Sequence, residues 1–324
     1  MSYRFLAAAG VLVILAALPA PAAKNWTAPH TPDGQPDLQG IWSNATITPL
    51  ERPKELVGKE FFTEKEAAEY EKRILEETNK DRRDGPPESD VGRAYNDSWW
   101  DRGTKVVPTR RTSFVVDPPD GRVPPLTAEA QQRVAARTAA LQRPAAGPED
   151  RGLPERCILW PTAGPPMLPS AYNNNYQILQ TPGYVVIFIE MIHDFRVIPL
   201  DGRPHLPENI RQWMGDPRGR WEGNTLVVDT TNFTDKNSFR GSDRNLHLVE
   251  RFTRVDPETI LYRFTVDDPT AFTKPWTGEA PMTKTPGPIY EYACHEGNYG
   301  MANILSGARA DEKALEEAAK KGLR

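Results

Sequence analysis

Residues 184–192, YVVIFIEMI, form the most apolar stretch of the chain after its N-terminal region. Val, Ile and Phe favour extended strands, and both alternating faces of this stretch are apolar except at Glu190. We therefore predict a strand that is buried within a β-structure. His193, Asp194 and Arg196 follow directly, so the strand ends in a cluster of ionisable groups.

Further strand-like segments lie on both sides of this stretch at short spacing, and turn residues separate them. We predict strands at 176–180, 184–191, 195–199, 220–222, 225–230, 246–255, 260–266 and 289–294. Such a series predicts a mainly β fold with a few peripheral helices. Because closure removes exposed edges, we expect the antiparallel meander to close into a small lipocalin-like barrel or a curled sheet.

The composition divides the chain into four parts. Residues 1–23 have the basic residue, the apolar run and the Ala-Pro-Ala site of a secretory signal peptide. An uncleaved anchor is the alternative interpretation. Residues 24–155 are predicted to be an arm with two surface helices, one opened by a capping box at Thr63. Residues 156–308 are the predicted β-barrel core, and 309–324 are a C-terminal helix.

The overall composition limits the partners. The chain has 324 residues, 38% of them hydrophobic, and a formal net charge of -4. A nearly neutral chain gives no electrostatic reason to expect nucleic acid or an anionic membrane surface as a partner. The sequence contains neither glycine-rich nucleotide-binding motif, GxGxxG or GxxxxGK[ST], so we predict no cofactor. The predicted partner is a small molecule in the periplasm or the external medium.

The chain has two cysteines, Cys157 and Cys294. An even pair in an exported chain predicts a disulfide. Two buried free thiols are the alternative.

Five motifs resemble the recurring motifs of a large family of exported bacterial proteins. They are DLQGIW at 37–42, TPLERP at 48–53, GRWEGNTLVVDTTNF at 219–233, LHLVERFTRVD at 246–256 and YEYACHEGNY at 290–299. With related segments between them, the resemblance covers nearly all of the chain after the signal peptide. It implies a secreted or periplasmic protein of one domain, and it brings no set of catalytic residues with it.

The residues at the end of the apolar strand are the predicted catalytic group. A histidine beside a carboxylate is suited to proton transfer near neutral pH. We predict that His193 is the acid or base and that Glu190 or Asp194 orients it or shares its role. The structural alternatives are an internal salt bridge between Glu190 and an arginine, and a hydrogen bond from His193 to a backbone carbonyl.

Six further residues are predicted to bind the substrate. In the hairpin at 246–266 one row of side chains is mixed in character; if it faces a lumen, its cations suit a carboxylate, phenolate or enolate. If it faces water, it is a solvated sheet face. Polar groups beside Cys294 could equally be the polar end of a strand. The six residues are Arg196, Arg251, Arg263, His247, Tyr292 and His295.

Three functions are consistent with these patterns. The first is an exported cofactor-free enzyme that uses acid/base chemistry, a lyase, isomerase or hydrolase, on a small aromatic or anionic metabolite. The others are a ligand-binding barrel without turnover and a structural or interaction protein. We predict no metal site, because the five histidines are scattered and form no HExxH motif.

Overall fold

The computed structural model describes residues 26–89 and 96–322. The predicted signal peptide lies outside these ranges. Within them, no helix combines the length and the apolar character that crossing a membrane requires.

In the described residues, eleven strands form one sheet, with three long helices outside it. Nine of the strands follow one another in the order β5-β4-β3-β1-β11-β9-β8-β7-β6, and β10 joins β9 to β2. The strands are β1 Gly40–Ser43, β2 Val115–Asp117, β3 Asn175–Thr181, β4 Tyr184–Ile189, β5 Asp194–Pro199, β6 Asp216–Glu222, β7 Thr225–Thr231, β8 His247–Asp256, β9 Thr259–Asp267, β10 Trp276–Glu279 and β11 Met282–Lys284. The strand ladders are antiparallel, and the sheet curls into a nearly closed barrel, which confirms the predicted fold class.

Two meanders supply most of the barrel wall. β3, β4 and β5 pair in sequence, and β6 to β9 do the same. The predicted central strand is β4, whose residues Val185, Ile187 and Ile189 are fully buried on the inner face. Because both alternating faces of β4 are apolar, its pairing with β3 and β5 sets which of its side chains face the interior.

The arm is more closely integrated into the barrel than its composition suggests. β1, from residues 40–43, lies between β3 and β11 and joins the two halves of the sheet. Trp42 on this strand is fully buried, and its indole Nε1 donates to the Leu38 carbonyl at 2.9 Å. The predicted arm strand is thus a member of the barrel wall.

The barrel remains open at one seam, between β5 and β6. Because nine strands are joined in series by antiparallel ladders, the two edge strands β5 and β6 run parallel to each other. The 16-residue connection from Leu200 to Gly215 spans the gap between these edges. The edges approach each other at Gly219, where an added Cβ would lie 2.7 Å from Ile198 Cγ2 and 2.6 Å from Leu200 Cδ2. A larger residue at position 219 would force these two side chains to shift, so the glycine permits the close approach.

The two helices of the arm lie where the sequence predicts them, and the C-terminal helix is longer than predicted. α1 is Glu64–Thr78, α2 is Ala128–Leu141 and α3 is Tyr299–Lys320. Thr63 Oγ1 accepts from the Glu66 amide and the Thr63 amide donates to Glu66, which confirms the capping box. α3 begins ten residues earlier than the predicted start at residue 309, because Asn298 caps it by accepting from the Met301 amide.

One predicted strand position is wrong, and two short strands were missed. Residues 289–294 are not a strand, because this segment leads from the sheet into the loop that carries Cys294. The short strands β10 and β11 were not predicted; their segments are punctuated by Pro275, Pro281 and Pro286, which obscure the strand pattern.

Cys157 and Cys294 form a disulfide with a Cα–Cα distance of 5.7 Å, which confirms the predicted bridge. It fastens the segment before α3 to the loop that precedes β3. Disulfides are typical of proteins that fold in oxidising compartments outside the cytoplasm.

Candidate functional site

Glu190 follows β4 directly and is almost completely buried. Its carboxylate accepts from two backbone amides, Tyr290 at 3.0 Å and Asn175 at 3.3 Å. The predicted salt bridge to an arginine is therefore not what holds it. This carboxylate ties the C-terminal segment to the start of β3.

His193 lies on the surface, in a turn where it has a positive φ of 60°. Its ring packs edge-on against Phe188, with 4.7 Å between the ring centroids. Asp194 accepts from the adjacent amide of Phe195 at 2.7 Å. The structure does not bring His193 and the Glu190 carboxylate into one hydrogen-bonded group, so the catalytic role of His193 stays a prediction without geometric support.

Arg196 points into the barrel, where it meets Glu250 of β8. The guanidinium holds both carboxylate oxygens of Glu250, and Tyr262 of β9 donates to the same carboxylate at 2.8 Å. Burial opposes the charge of Arg196, but the neighbouring carboxylate outweighs it and raises the pKa of the guanidinium. Burial also raises the pKa of Tyr262 well above its ordinary value. The three groups are a closed internal network across the barrel.

The mixed row of the β8–β9 hairpin faces outward. Arg251 and Arg263 are paired across the two strands and share one side of the sheet, but each has a carboxylate partner: Glu222 at 2.9 Å and Glu279 at 2.9 Å. The idea of a cationic patch lining a lumen is therefore wrong, because the alternation of β8 places Glu250 inside and Arg251 outside.

The two residues predicted beside the disulfide differ in burial, and Tyr292 packs against the hydrophobic core. His295 is exposed. Tyr292 is half-buried and shares a hydrogen bond with Tyr172, and burial raises its pKa to about 12. Neither contacts His193 or the Arg196 network.

The outer face of β6 to β8 carries a continuous series of hydrogen-bonded titratable groups. His205 Nδ1 lies 3.2 Å from Asp216 Oδ2, and His205 Nε2 lies 3.0 Å from Asp229 Oδ1. His247 Nε2 lies 3.2 Å and 3.1 Å from the two oxygens of Asp229. We call Asp216, His205, Asp229 and His247 the His–Asp chain.

The strands and one loop position these four groups. Asp229 on β7 is paired with Val249 on β8, so His247 is its diagonal neighbour on the same outer face. Asp216 opens β6, where its carboxylate also accepts from the Leu206 amide at 2.9 Å and from Arg218 at 2.7 Å. His205 comes from the 200–215 connection.

The electrostatics of the His–Asp chain favour proton exchange at its outer end. The hydrogen bond to Asp229 raises the pKa of His247, and the same bond lowers the pKa of Asp229. The His247 side chain is 42% exposed, and its Nδ1 has no hydrogen-bond partner among the described residues. A carboxylate that orients one imidazole nitrogen and leaves the other open is the arrangement of a general base.

The inner end of the His–Asp chain borders a cleft at the open seam of the barrel. This seam cleft has a volume of about 630 Å³, within the range of small-molecule sites. Asp194 and Arg196 line it, although the guanidinium of Arg196 is turned toward Glu250. The other lining residues include Phe195, Arg203, Leu206, Trp213, Asp216 and Arg218.

Of the four residues in the His–Asp chain, only His247 was among the site residues predicted from the sequence. Asp229 carries a usable signal, because it is the one carboxylate in the apolar strand LVVDTT. His205 carries none, because its position depends on how the long connection folds back over β6 and β7.

Across residues 26–89 and 96–322, no group of three or more His, Cys, Asp or Glu side chains has an arrangement that could hold a metal ion. A comparison of the chain with family models, with curated proteins and with solved structures finds no match in any of the three. The site therefore has to be interpreted from its own geometry.

Asp229→Asn is expected to change how stability depends on pH. The pKa of His247 is raised in the folded protein, so its charged form stabilises the fold. This contribution is fully present below the unfolded pKa of 6.5, and it is lost as pH rises through the folded pKa. Because His247 is half-exposed, we expect at most about 1 kcal/mol. Urea unfolding should show that the wild type gains stability from about pH 8 to about pH 6 relative to the variant.

The lowered pKa of Asp229 acts in the opposite direction. Its stabilising contribution is present above its unfolded pKa of 3.8 and is lost as pH falls through the folded pKa. Parallel stability curves for wild type and Asp229→Asn over the whole acid and neutral range would contradict the pairing.

Proposed function

We propose that the protein is an exported, acid/base enzyme whose substrate lies in the seam cleft and whose proton passes through the His–Asp chain. The observation that carries this proposal is the unbroken series of hydrogen bonds from the cleft-lining Asp216 to the half-exposed His247. The signal peptide predicted from the sequence and the disulfide together favour the periplasm or the external medium as its location.

The proposed transfer begins at His247, whose Nε2–H donates to Asp229 in the resting state. His247 Nδ1 takes a proton from solvent, while Nε2 gives its own proton to Asp229. Asp229 then protonates His205 at Nε2, and His205 Nδ1 passes its proton through Asp216 to the substrate. This direction requires His205 to start as the Nδ1–H tautomer, and the reverse sequence removes a proton from the substrate.

The surroundings of the seam cleft favour a small polar substrate. Arg211 lines the cleft beside the apolar Leu206 and Trp213, and among the described residues its hydrogen bonds go to backbone carbonyls only. Arg203 and Arg218 also line the cleft, but they are already paired with Asp201 and Asp216. Arginines suit a carboxylate or an enolate oxygen, and the apolar residues suit a short carbon chain or ring. We therefore propose a carbonyl compound or a carboxylic acid with an acidic C–H bond as the substrate, and a lyase or isomerase reaction.

Deuterium exchange tests this proposal on a panel of candidate substrates. The purified protein is incubated in D₂O with small ketones, 2-oxo acids, 2-hydroxy acids and aromatic acids, and proton NMR follows the loss of C–H signals. We expect at least one compound to exchange or to be converted. His205→Gln and Asp229→Asn should slow this reaction by about 100-fold or more, the usual contribution of a positioned acid or base.

His193→Gln is the matched control, because it makes the same substitution at an exposed histidine outside the His–Asp chain. It should retain the wild-type rate. If His193→Gln abolishes the reaction while His205→Gln and Asp229→Asn retain it, the site lies at the end of β4 instead. If no compound in the set reacts, the enzyme proposal gives way to a non-catalytic ligand-binding protein.

A further inference from the structure

A second cavity lies apart from the His–Asp chain. It is lined mainly by residues of the arm and by the segment 162–171. Its volume is about 700 Å³, which suits a small organic ligand. Ile47, Leu50, Phe114 and Leu168 give it an apolar wall. We call it the arm cavity.

The charged residues around the arm cavity are mostly cations. Lys80, Arg102 and Arg240 line it together with a single carboxylate, Glu77. Glu77 is already paired with Arg73 at 3.4 Å, and Arg240 is paired with Glu51 at 2.8 Å. The cavity therefore has an excess of positive charge.

Lys80 is the cation that has no carboxylate partner within salt-bridge distance among the described residues. Its ammonium lies 4.6 Å from the centroid of the Trp100 ring, and this cation–π contact positions the charge at the cavity wall. Arg102, in contrast, donates to Asp97 at 2.7 Å and to the Thr78 carbonyl at 3.0 Å. The available charge is thus that of Lys80.

Hydrogen-bond donors without partners surround the same cavity. In the described part of the chain, the buried Trp100 Nε1, Arg102 Nε and Thr162 Oγ1 have no hydrogen-bond partner, and all three residues line the cavity. Unpaired buried polar groups are rare in folded proteins and carry a free-energy penalty. Because all three atoms are buried, they give one side of the cavity wall a polar character and are not themselves contacts for a ligand.

We infer that the arm cavity binds a small organic carboxylate with an apolar body, such as an aryl or alkyl monocarboxylate. The carboxylate supplies a negative charge and acceptor oxygens for the Lys80 ammonium. The apolar body lies against Ile47, Leu50, Phe114 and Leu168. This site is separate from the seam cleft and does not depend on the acid/base function.

Calorimetric titration with benzoate, phenylacetate and hexanoate tests the inference on the purified full chain. We expect one saturable site per chain for at least one of these ligands and no binding of the neutral benzamide. Lys80→Gln should weaken binding by about tenfold or more, the effect of losing one charge-assisted hydrogen bond. Trp100→Leu, which removes the cation–π contact that positions Lys80, should weaken it by about threefold or more.

Lys65→Gln is the matched control, since Lys65 is on α1, is 87% exposed and does not line the cavity. It should leave the affinity unchanged, and melting curves should show that every variant is folded. Equal affinities of Lys80→Gln and Lys65→Gln overturn the inference, as does the absence of saturable binding of all three carboxylates up to about 5 mM. Tighter binding of phenyl phosphate than of benzoate overturns the assignment to carboxylates.

The Asp229→Asn variant separates this site from the His–Asp chain. It should bind the carboxylate with wild-type affinity even when its acid/base reaction is lost. Loss of carboxylate binding in Asp229→Asn would place the ligand in the seam cleft and overturn the arm cavity as the site.

Discussion

Arg196→Met is expected to lower the free energy of unfolding by about 3 to 5 kcal/mol, because it removes one partner of a buried ion pair. The Glu250 side chain is 0% exposed and Arg196 is 1% exposed, so the carboxylate that remains has no access to water. Tyr262 still donates to it, but one neutral donor does not replace a guanidinium. Urea unfolding followed by tryptophan fluorescence measures the change.

Two variants separate charge from packing in this experiment. Arg251→Met breaks the outward-facing pair with Glu222, in which both side chains are 40% exposed, and it should change stability by less than about 1 kcal/mol. Arg196→Met/Glu250→Met removes both internal charges and should recover most of the loss, since apolar replacements of a buried pair are often neutral or stabilising. A loss in Arg196→Met no larger than in Arg251→Met contradicts the internal network.

Cys157→Ser/Cys294→Ser is expected to lower the free energy of unfolding by about 5 kcal/mol, because the bridge spans 137 residues and restricts the unfolded chain. Neighbouring contacts depend on the same bridge. Asn298, which caps α3, also donates to the Glu155 carbonyl at 2.9 Å, so its helix loses an anchor when the two segments separate. The melting temperature should fall by about 10 °C or more.

Reduction of the wild type provides an independent test of the bridge. A reductant should lower its melting temperature toward that of Cys157→Ser/Cys294→Ser and should have no effect on the double variant. A wild-type melting curve that does not respond to reduction contradicts a stabilising role for this disulfide.

The longer strands could be predicted from the residue patterns within each strand, and the shortest strands could not. β4, β8 and β9 are rich in branched and aromatic residues and bounded by turns, so their positions follow from the sequence. The inner faces of β8 and β9 follow as well, because each of these two strands has one apolar row. The capping box at Thr63 and the two cysteines are equally local signals. β10 and β11, with four and three residues, are too short for a pattern to appear, and their pairing depends on partners distant in the chain.

The site was predicted less well than the fold, because its residues meet through register and loop packing. His193, Asp194 and Glu190 are close in sequence, yet the turn with positive φ at His193 directs the imidazole onto the surface while Glu190 turns to backbone amides. His205, Asp229 and His247 are far apart in sequence. Their contact requires the β7–β8 register and the path of the 200–215 connection, neither of which local patterns specify.

The β8–β9 hairpin is a second example of a contact that local patterns do not specify. The alternation of β8 correctly separates an apolar row from a mixed row. It places Glu250 with the apolar row, where Arg196 from β5 meets it across the barrel. The sequence carries no direct signal for that distant partner, so its patterns predict substrate binding for Arg196 rather than an internal ion pair.

The most direct test of the central claim is an NMR titration of the histidine ring signals in the wild type and in Asp229→Asn. If the His–Asp chain is one hydrogen-bonded unit, His247 titrates above its ordinary pKa in the wild type, and the single substitution lowers that pKa and shifts the ring signals of both His205 and His247. The His193 signals should not change. A His247 titration that is identical in the two proteins, or a response confined to His247 with none at His205, would contradict the connected chain and the proton path built on it.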